Sequence, residues 1–234
     1  MSLNDADWRT IRGCDLFRGM PDGVVSELIG DAAPISLRKG QILFHQGDPA
    51  SAFFVVLEGW MKIYRAGADG RETIIHVSKA GETFAEAAMF MKGAYPVHAE
   101  AATVVRLQKI RAHSVRECIE QDPGFAFAML GAMSFRLRGL VNEIENLKRR
   151  GAVELVADFL LQLCPPGESD RCTFTLPFEK ALIAARLGIK PESFSRALLR
   201  LKDAGVEVSG ADVTVASRAA LAKLLDQDAT RTDA

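Results

Sequence analysis

The sequence predicts an α+β chain of three successive parts: a β jelly roll, one long helix, and a winged helix-turn-helix. Three observations carry that prediction. Residues 34 to 112 alternate short β-branched and aromatic runs with glycines at Gly40, Gly47, Gly59, Gly70 and Gly81, the rhythm of antiparallel strands joined by turns. Residues 125 to 150 lack proline and repeat apolar side chains in steps of four and three, a period of about 3.5. Beyond 151, two helical patterns meet at Gly188 and a short strand pair follows them.

Within the first part, "AFFVVLEGWMKIYRAGADGRETIIHV" (52 to 77) is the clearest segment. Two strand-like runs flank Gly67-Ala68-Asp69-Gly70, with Asp69-Gly70 as the turn signal. In the second part, Ala126, Leu130, Met133, Leu137, Leu140, Ile144 and Leu147 form a single seam, separated by Arg136, Arg138, Asn142, Glu143 and Glu145. An apolar stripe that narrow predicts a partner helix related by a two-fold axis, and so a homodimer.

The third part begins with the loop "PPGESDRC" and reaches a helix over 178 to 187 that packs through Ile183, Ala184 and Leu187. Gly188 and Ile189 make a tight turn into Pro191, a favoured first helical residue. In "KPESFSRALLRLKDAG" (190 to 205), helical spacing places Phe194, Ala197, Leu198 and Leu201 on one side. Glu192, Ser195, Arg196 and Arg200 fall on another, the face such a motif presents to base edges. Lys190 stands at the N-cap, where Ser or Thr would cap better. "VEVSGADVTV" then reads as a β hairpin, the wing.

Composition narrows the function classes. With 234 residues and 48% hydrophobic content, the chain has ample material for a packed core, as one large domain or two small ones. A net charge of -1 excludes a broadly basic protein, so nucleic-acid contact must come from a local patch. Cys14, Cys118, Cys164 and Cys172 lie far apart with no CxxC pair. They suggest neither a disulfide framework nor a zinc site, and fit a reducing, cytoplasmic compartment. The opening "MSLNDADWRT" has no apolar signal core, and no run reaches the ~20 apolar residues of a membrane span. No nucleophile with a base, P-loop or metal-ligand spacing points to an enzyme.

The order of parts, together with "KGQILFHQGDPASAFFVVLEG" (39 to 59), "GETFAEAAMF" (81 to 90) and "LGIKPESFSRALLRL" (187 to 201), resembles the cyclic AMP receptor/fumarate-nitrate regulator (Crp/Fnr) family of bacterial transcription factors. "FAEAAMFM" and "IKPESFSR" look like its dissimilatory nitrate-respiration branch. The resemblance spans nearly the whole chain. It implies a cyclic nucleotide-binding-like effector barrel with N-terminal helices over 1–123, a dimerisation helix over 124–150, with Leu130, Met133, Leu137, Leu140, Ile144 and Leu147 at the interface, and a DNA-binding domain over 151–234. A Glu-x-x-Ser-Arg pattern of the fumarate-nitrate type implies that Glu192, Ser195 and Arg196 read TTGAT-type half-sites. Arg can donate twice to guanine, and Glu can accept from a cytosine amino group. Lys190, Ser193 and Arg200 join them as candidate DNA contacts.

The family's barrel holds an effector, and its cyclic-nucleotide members grip the ligand with a Gly-Glu and an Arg-Ser pair. Here those positions read Ala85-Glu86 and Tyr95-Pro96. A buried phosphate without a cation is costly to desolvate, so cyclic AMP is disfavoured. An iron-sulfur cluster is not expected, since only Cys14 precedes the barrel. The branch implies haem that senses nitric oxide, in an apolar pocket between barrel and dimer helix to which Phe84, Met89, Phe90 and Met91 contribute. His45, His76, His98 and His113 are its candidate ligands, with His98 favoured because it follows Tyr95-Pro96. The effector-pocket candidates are therefore Phe84, Ala85, Glu86, Met89, Tyr95, Pro96 and His98. Expected partners are double-stranded DNA, a second copy of the chain and RNA polymerase, with no membrane. The rival expectation is a cyclic-nucleotide-binding module that acts on DNA through a cyclic AMP-like ligand, or on a protein partner without DNA.

Overall fold

The computed structural model describes residues 3–67, 71–90, 93–149, 151–165 and 169–226, with the side chains at 89–90, 123, 136, 140 and 142–149 outside that description. The chain forms two compact units, Met1–Leu140 and Val141–Ala234.

The first unit opens with helices α1 (Asp5–Gly13) and α2 (Asp22–Ile29) and then enters the strands. These are β1 (Ile35–Leu37), β2 (Ile42–Phe44), β3 (Ala52–Glu58), β4 (Trp60–Ala66), β5 (Glu72–Lys79) and β6 (Thr83–Phe84). Helix α3 (Glu86–Phe90) precedes β7 (His98–Ala101) and β8 (Val105–Arg111), and α4 (Ala112–Gln121) leads into the long α5 (Pro123–Arg149). The strands make two four-stranded antiparallel sheets, β1-β8-β3-β6 and β2-β7-β4-β5. They form a jelly-roll sandwich with free edges rather than a closed barrel. The predicted hairpin is β4–β5, and its turn residues 68–70 lie outside the described residues.

Strand β3 is the exception to the usual half-buried alternation, because Ala52 through Leu57 are all buried. Its two faces enter two different cores. Ala52, Phe54 and Val56 join Phe44, Met61, Phe84, Tyr95 and Leu107 between the sheets. Phe53, Val55 and Leu57 join Ile11, Phe17, Val25, Ile110, Phe125, Met129 and Ala132, which brings α1, α2 and α5 onto the outside of the sandwich. After β3 the chain reverses at Gly59, whose φ of 81° is left-handed. A Cβ there would stand 2.1 Å from the Val104 carbonyl oxygen, so only glycine fits.

Helix α5 is predicted correctly in extent, but the structure refines its apolar faces. Phe125, Met129 and Ala132 are buried against the chain's own core, and Met133 packs partly against it. Phe127, Leu130, Leu137 and Val141 are instead exposed, by 77%, 60%, 63% and 46%. Leu130 and Leu137 of the predicted seam thus stand free, while Met133 turns inward because it follows Met129 by one helical turn. Leu140, Ile144 and Leu147 have side chains outside the described residues. Among the described residues no helix is long and apolar enough to cross a membrane.

The second unit holds the end of α5, then α6 (Ala152–Leu163), β9 (Cys172–Thr175), α7 (Lys180–Arg186), α8 (Pro191–Leu201), β10 (Val206–Ser209), β11 (Asp212–Val215) and α9 (Arg218–Asp226). The predicted wing is the β10–β11 hairpin, extended by β9 to a three-stranded antiparallel sheet. One sequence expectation is overturned here: Cys164 and Cys172 are disulfide-bonded. Their spacing of eight matches no framework pattern, yet their Cα atoms are 5.9 Å apart. The cysteines therefore give no argument for a reducing compartment.

At the start of the chain, Asn4 and Asp7 form a capping box on α1, each side chain accepting from the other's backbone N–H at 2.9 and 3.1 Å. The Arg106 guanidinium of β8 then donates to both Asp7 carboxylate oxygens at 2.9 and 2.8 Å. Burial pushes the Asp7 carboxyl up, but Arg106 and the Asn4 N–H outweigh it and hold the pKa below its usual value. Folded Asp7 binds its proton more weakly than unfolded Asp7. The associated stabilisation is full above about pH 4 and fades as pH falls through the folded value. Asp7→Asn is expected to cost about 2 kcal/mol at neutral pH and to flatten this acid limb, as read from urea midpoints between about pH 3 and pH 7.

Candidate nucleic-acid interface and effector pocket

The helix-turn-helix is set by local stereochemistry. Helix α7 ends as Gly188 takes a φ of 65°, and the backbone N–H groups of Gly188 and Ile189 donate to the carbonyls of Ala185 and Ala184 at 3.1 and 3.0 Å. Pro191 then starts α8 at its first position, and Lys190 serves as N-cap without a side-chain hydrogen bond. Phe194, Ala197, Leu198 and Leu201 are buried, and α8 packs on α6 and α7. That anchoring leaves Lys190, Glu192, Ser195, Arg196 and Arg200 exposed on one helix, while Ser193 is half-buried to the side. Glu192 lies in the first turn, where a carboxylate suits the helix dipole.

A shallow notch of about 160 Å³ separates α8 from the wing. Ser195 borders it together with Lys180, Leu199, Lys202, Val206 and Val208. Lys180 and Lys202 are exposed cations that flank the predicted reading face, and sequence reasoning missed both. Their signal is weak in sequence, since Lys180 sits on the preceding helix and Lys202 just beyond the amphipathic pattern.

Of the candidate effector residues, Phe84, Ala85 and Tyr95 belong to or pack against the core between the sheets. Phe84 and Tyr95 are core residues, 5% and 4% exposed. The Tyr95 ring stacks on Phe44 with centroids 3.7 Å apart, its hydroxyl donating to the Ala52 carbonyl at 2.7 Å. Phe44 continues to Phe54 at 6.0 Å and Phe84 at 6.4 Å. The position where the family pattern has a phosphate-gripping Arg is therefore occupied by an aromatic ring inside a continuous apolar stack. Burial and the neighbouring Asp48 charge push the Tyr95 hydroxyl pKa up despite the bond to Ala52, so it stays neutral. Among the described residues no Lys or Arg is buried. The Glu86 carboxylate accepts a hydrogen bond from the Thr83 hydroxyl. Ala85 adopts a φ of 70°, the one positive value among the described non-glycine residues, at the place where the family pattern has glycine. Met91 lies outside the described residues, as do the side chains of Met89 and Phe90.

None of the four histidines belongs to the core between the sheets. Ala99 and Ala101 of β7 point into the inner core, so strand alternation turns His98 to the opposite face. There His98 stacks on Tyr64 with centroids 5.0 Å apart, and its Nδ1 accepts from the Gln46 backbone N–H at 3.3 Å. In the neutral ring this leaves the proton on Nε2, and neither nitrogen offers a free lone pair. His45, His76 and His113 are exposed beside Asp48, Glu82 and Glu117, at 3.7, 3.5 and 3.1 Å. Pro96 is exposed, and its carbonyl accepts from Arg65 Nε at 3.3 Å.

Comparison with known proteins agrees with this division. Residues 34–122 match the cyclic nucleotide-binding domain, and residues 154–224 the Crp-like helix-turn-helix domain. A crystal structure from Ruegeria pomeroyi, of a protein assigned to the cyclic nucleotide binding proteins, is 36% identical with a TM-score of 0.80, covering 95% of this chain and 98% of that one. DNR from Pseudomonas aeruginosa is 32% identical with a TM-score of 0.58, covering 95% and 99%. A CRP-like cAMP-activated global transcriptional regulator from Mycobacterium tuberculosis is 26% identical over 89% of this chain and 95% of its own.

Two measurements check the pocket. Ala85→Gly relieves a left-handed alanine and is expected to raise unfolding stability by about 1 kcal/mol in urea titrations. Addition of haem to the purified protein is expected to give no stoichiometric Soret band. A stoichiometric band that His98→Ala abolishes would overturn this placement.

Proposed function

Since the chain belongs to the Crp/Fnr family of transcription regulators, we propose that it acts as a homodimer that binds a palindrome of TTGAT-type half-sites. The observation that carries this reading is the anchored recognition helix. Its apolar side is wholly buried, and Glu192, Ser195 and Arg196 project from the opposite side unobstructed by the chain. Arg196 is the guanine reader, by paired donation to O6 and N7, and Glu192 accepts from a cytosine amino group. Ser195 contacts a base edge at the border of the notch. Lys180, Lys190, Arg200 and Lys202 serve the phosphates, which supplies the local positive charge that a chain of net charge -1 otherwise lacks.

The dimer rests on α5. Phe127, Leu130 and Leu137 leave large apolar surfaces in water on one helix, spaced by three and seven residues. A second copy of α5 covers such a stripe. Two recognition helices related by the dimer axis then meet successive major grooves about 34 Å apart. The jelly roll supports an effector role because β3 feeds both the inner core and the core that seats α5. The filled interior argues against cyclic AMP as that effector.

Mobility shifts over a salt series test the DNA reading. Wild type is expected to prefer the TTGAT palindrome over scrambled duplex, and Arg196→Ala to lose about ten- to a hundredfold of that preference. Lys202→Ala is expected to weaken both duplexes alike and to reduce the salt slope by about one. Equal binding of the two duplexes by wild type would defeat the site assignment, whereas unchanged selectivity in Arg196→Ala would defeat only the residue assignment.

A further inference from the structure

Cys164 is the C-cap of α6 and Cys172 the first residue of β9, so their bond ties a helix end to a sheet edge. The two ends connect to different parts of the DNA-binding unit. Helix α6 packs on α8, the helix that carries the predicted base readers. Cys172 pairs with Val215 of β11, and β11 pairs with β10 to make the wing.

Polar contacts hold Pro165 and Asp170, beside the two cysteines, independently of the bond. The Arg218 guanidinium donates to the Pro165 carbonyl at 2.5 Å, and the Arg218 N–H donates to the Asp170 carbonyl at 2.8 Å. The Asp170 carboxylate accepts from the Ala219 N–H at 2.9 Å. Both flanks of the loop are thus fixed to the start of α9. Opened thiols would remain close enough to re-form the bond, which is the condition for reversibility. The pair is also asymmetric, because Cys172 is 5% exposed while Cys164 is half-buried. Attack from solution falls on Cys164.

We propose that Cys164 and Cys172 form a reversible thiol–disulfide site whose partners are low-molecular-weight thiols and disulfides, and whose state sets how firmly the wing sheet is held to α6. In reduction a small thiolate attacks Cys164 Sγ, the Cys164–Cys172 bond breaks, and Cys172 leaves as a thiolate that takes up a proton. A second small thiolate then attacks the small-molecule sulfur of the mixed disulfide. This releases Cys164 as a thiolate, which is protonated, and a small disulfide. Two electrons enter the protein, and two small thiols are oxidised. Oxidation is the reverse, with the small disulfide as oxidant. Cys14 and Cys118 are buried in the first unit, and burial raises the Cys118 thiol pKa, so both remain spectator thiols.

The test uses the full chain equilibrated in mixtures of reduced and oxidised glutathione, quenched in acid, unfolded and alkylated. Two of the four cysteines in the sequence are expected to pass from modified to protected in one two-electron step, and peptide mapping to place them at 164 and 172. The reduced form is expected to melt at a midpoint lower by on the order of 10 °C in the transition of the winged unit. Cys164→Ser/Cys172→Ser is expected to show the reduced midpoint in every mixture. Four modifiable thiols under the most oxidising mixture, a protected pair elsewhere, or one midpoint for both forms would overturn the proposal. The wild-type titration decides the chemistry even if the double variant fails to fold.

Discussion

The burial of β3 on both faces is the constraint on which the first unit depends. Six consecutive side chains, Ala52 to Leu57 by number, must find apolar partners on opposite sides of one strand. A two-layer sandwich supplies only one of those sides. The other is closed by α1, α2 and α5, and Phe53, Val55 and Leu57 account for their attachment. At about 25 cal/mol per Å² of buried apolar surface, an exposed outer face of β3 would forgo several kcal/mol. The long helix is therefore a wall of the core as well as a candidate dimer element, which explains why its Phe125, Met129 and Ala132 face inward while Phe127, Leu130 and Leu137 remain free.

Electrostatics adds a second tie at the other end of the same sheet. Asp7 and Arg106 are 99 residues apart in sequence, and their paired hydrogen bonds join α1 to β8, the neighbour of β3. Asp7 is 4% exposed, so a lone carboxylate there would be expensive. The capping box and the guanidinium together satisfy it. Helix α1 is thereby fixed by its start through charge and by Ile11 through apolar packing.

Much of this fold was legible in the sequence, and the residues show why. Strand rhythm, the Gly188–Pro191 turn and the apolar face of α8 follow from local stereochemistry and period, which the sequence carries directly. The exposed polar face of α8 was legible for the same reason, as the complement of Phe194, Ala197, Leu198 and Leu201. What was not legible depends on distant partners. Met133 and Phe127 are equally apolar, and only the position of the neighbouring core assigns one inward and the other outward. His98 follows Tyr95-Pro96 by a few residues, yet Tyr95 precedes β7 and stacks in the core while alternation along β7 turns His98 to the other face. The Cys164–Cys172 bond lies beside Pro165 and Asp170, which are held by Arg218 and Ala219, groups that no cysteine pattern mentions.

The aromatic core between the sheets bears on how a signal would pass through such a unit. A ligand shifts an equilibrium only by its differential affinity for the two arrangements. In the interior, Phe44, Phe54, Phe84 and Tyr95 form one continuous aromatic stack. Ala85 in a left-handed conformation and Glu86 engaged by Thr83 sit where the segment leaves β6 for α3, at the end of that aromatic stack. Because Phe54 and Phe53 are successive residues of one strand, the stack and the seat of α5 are joined by a single peptide unit.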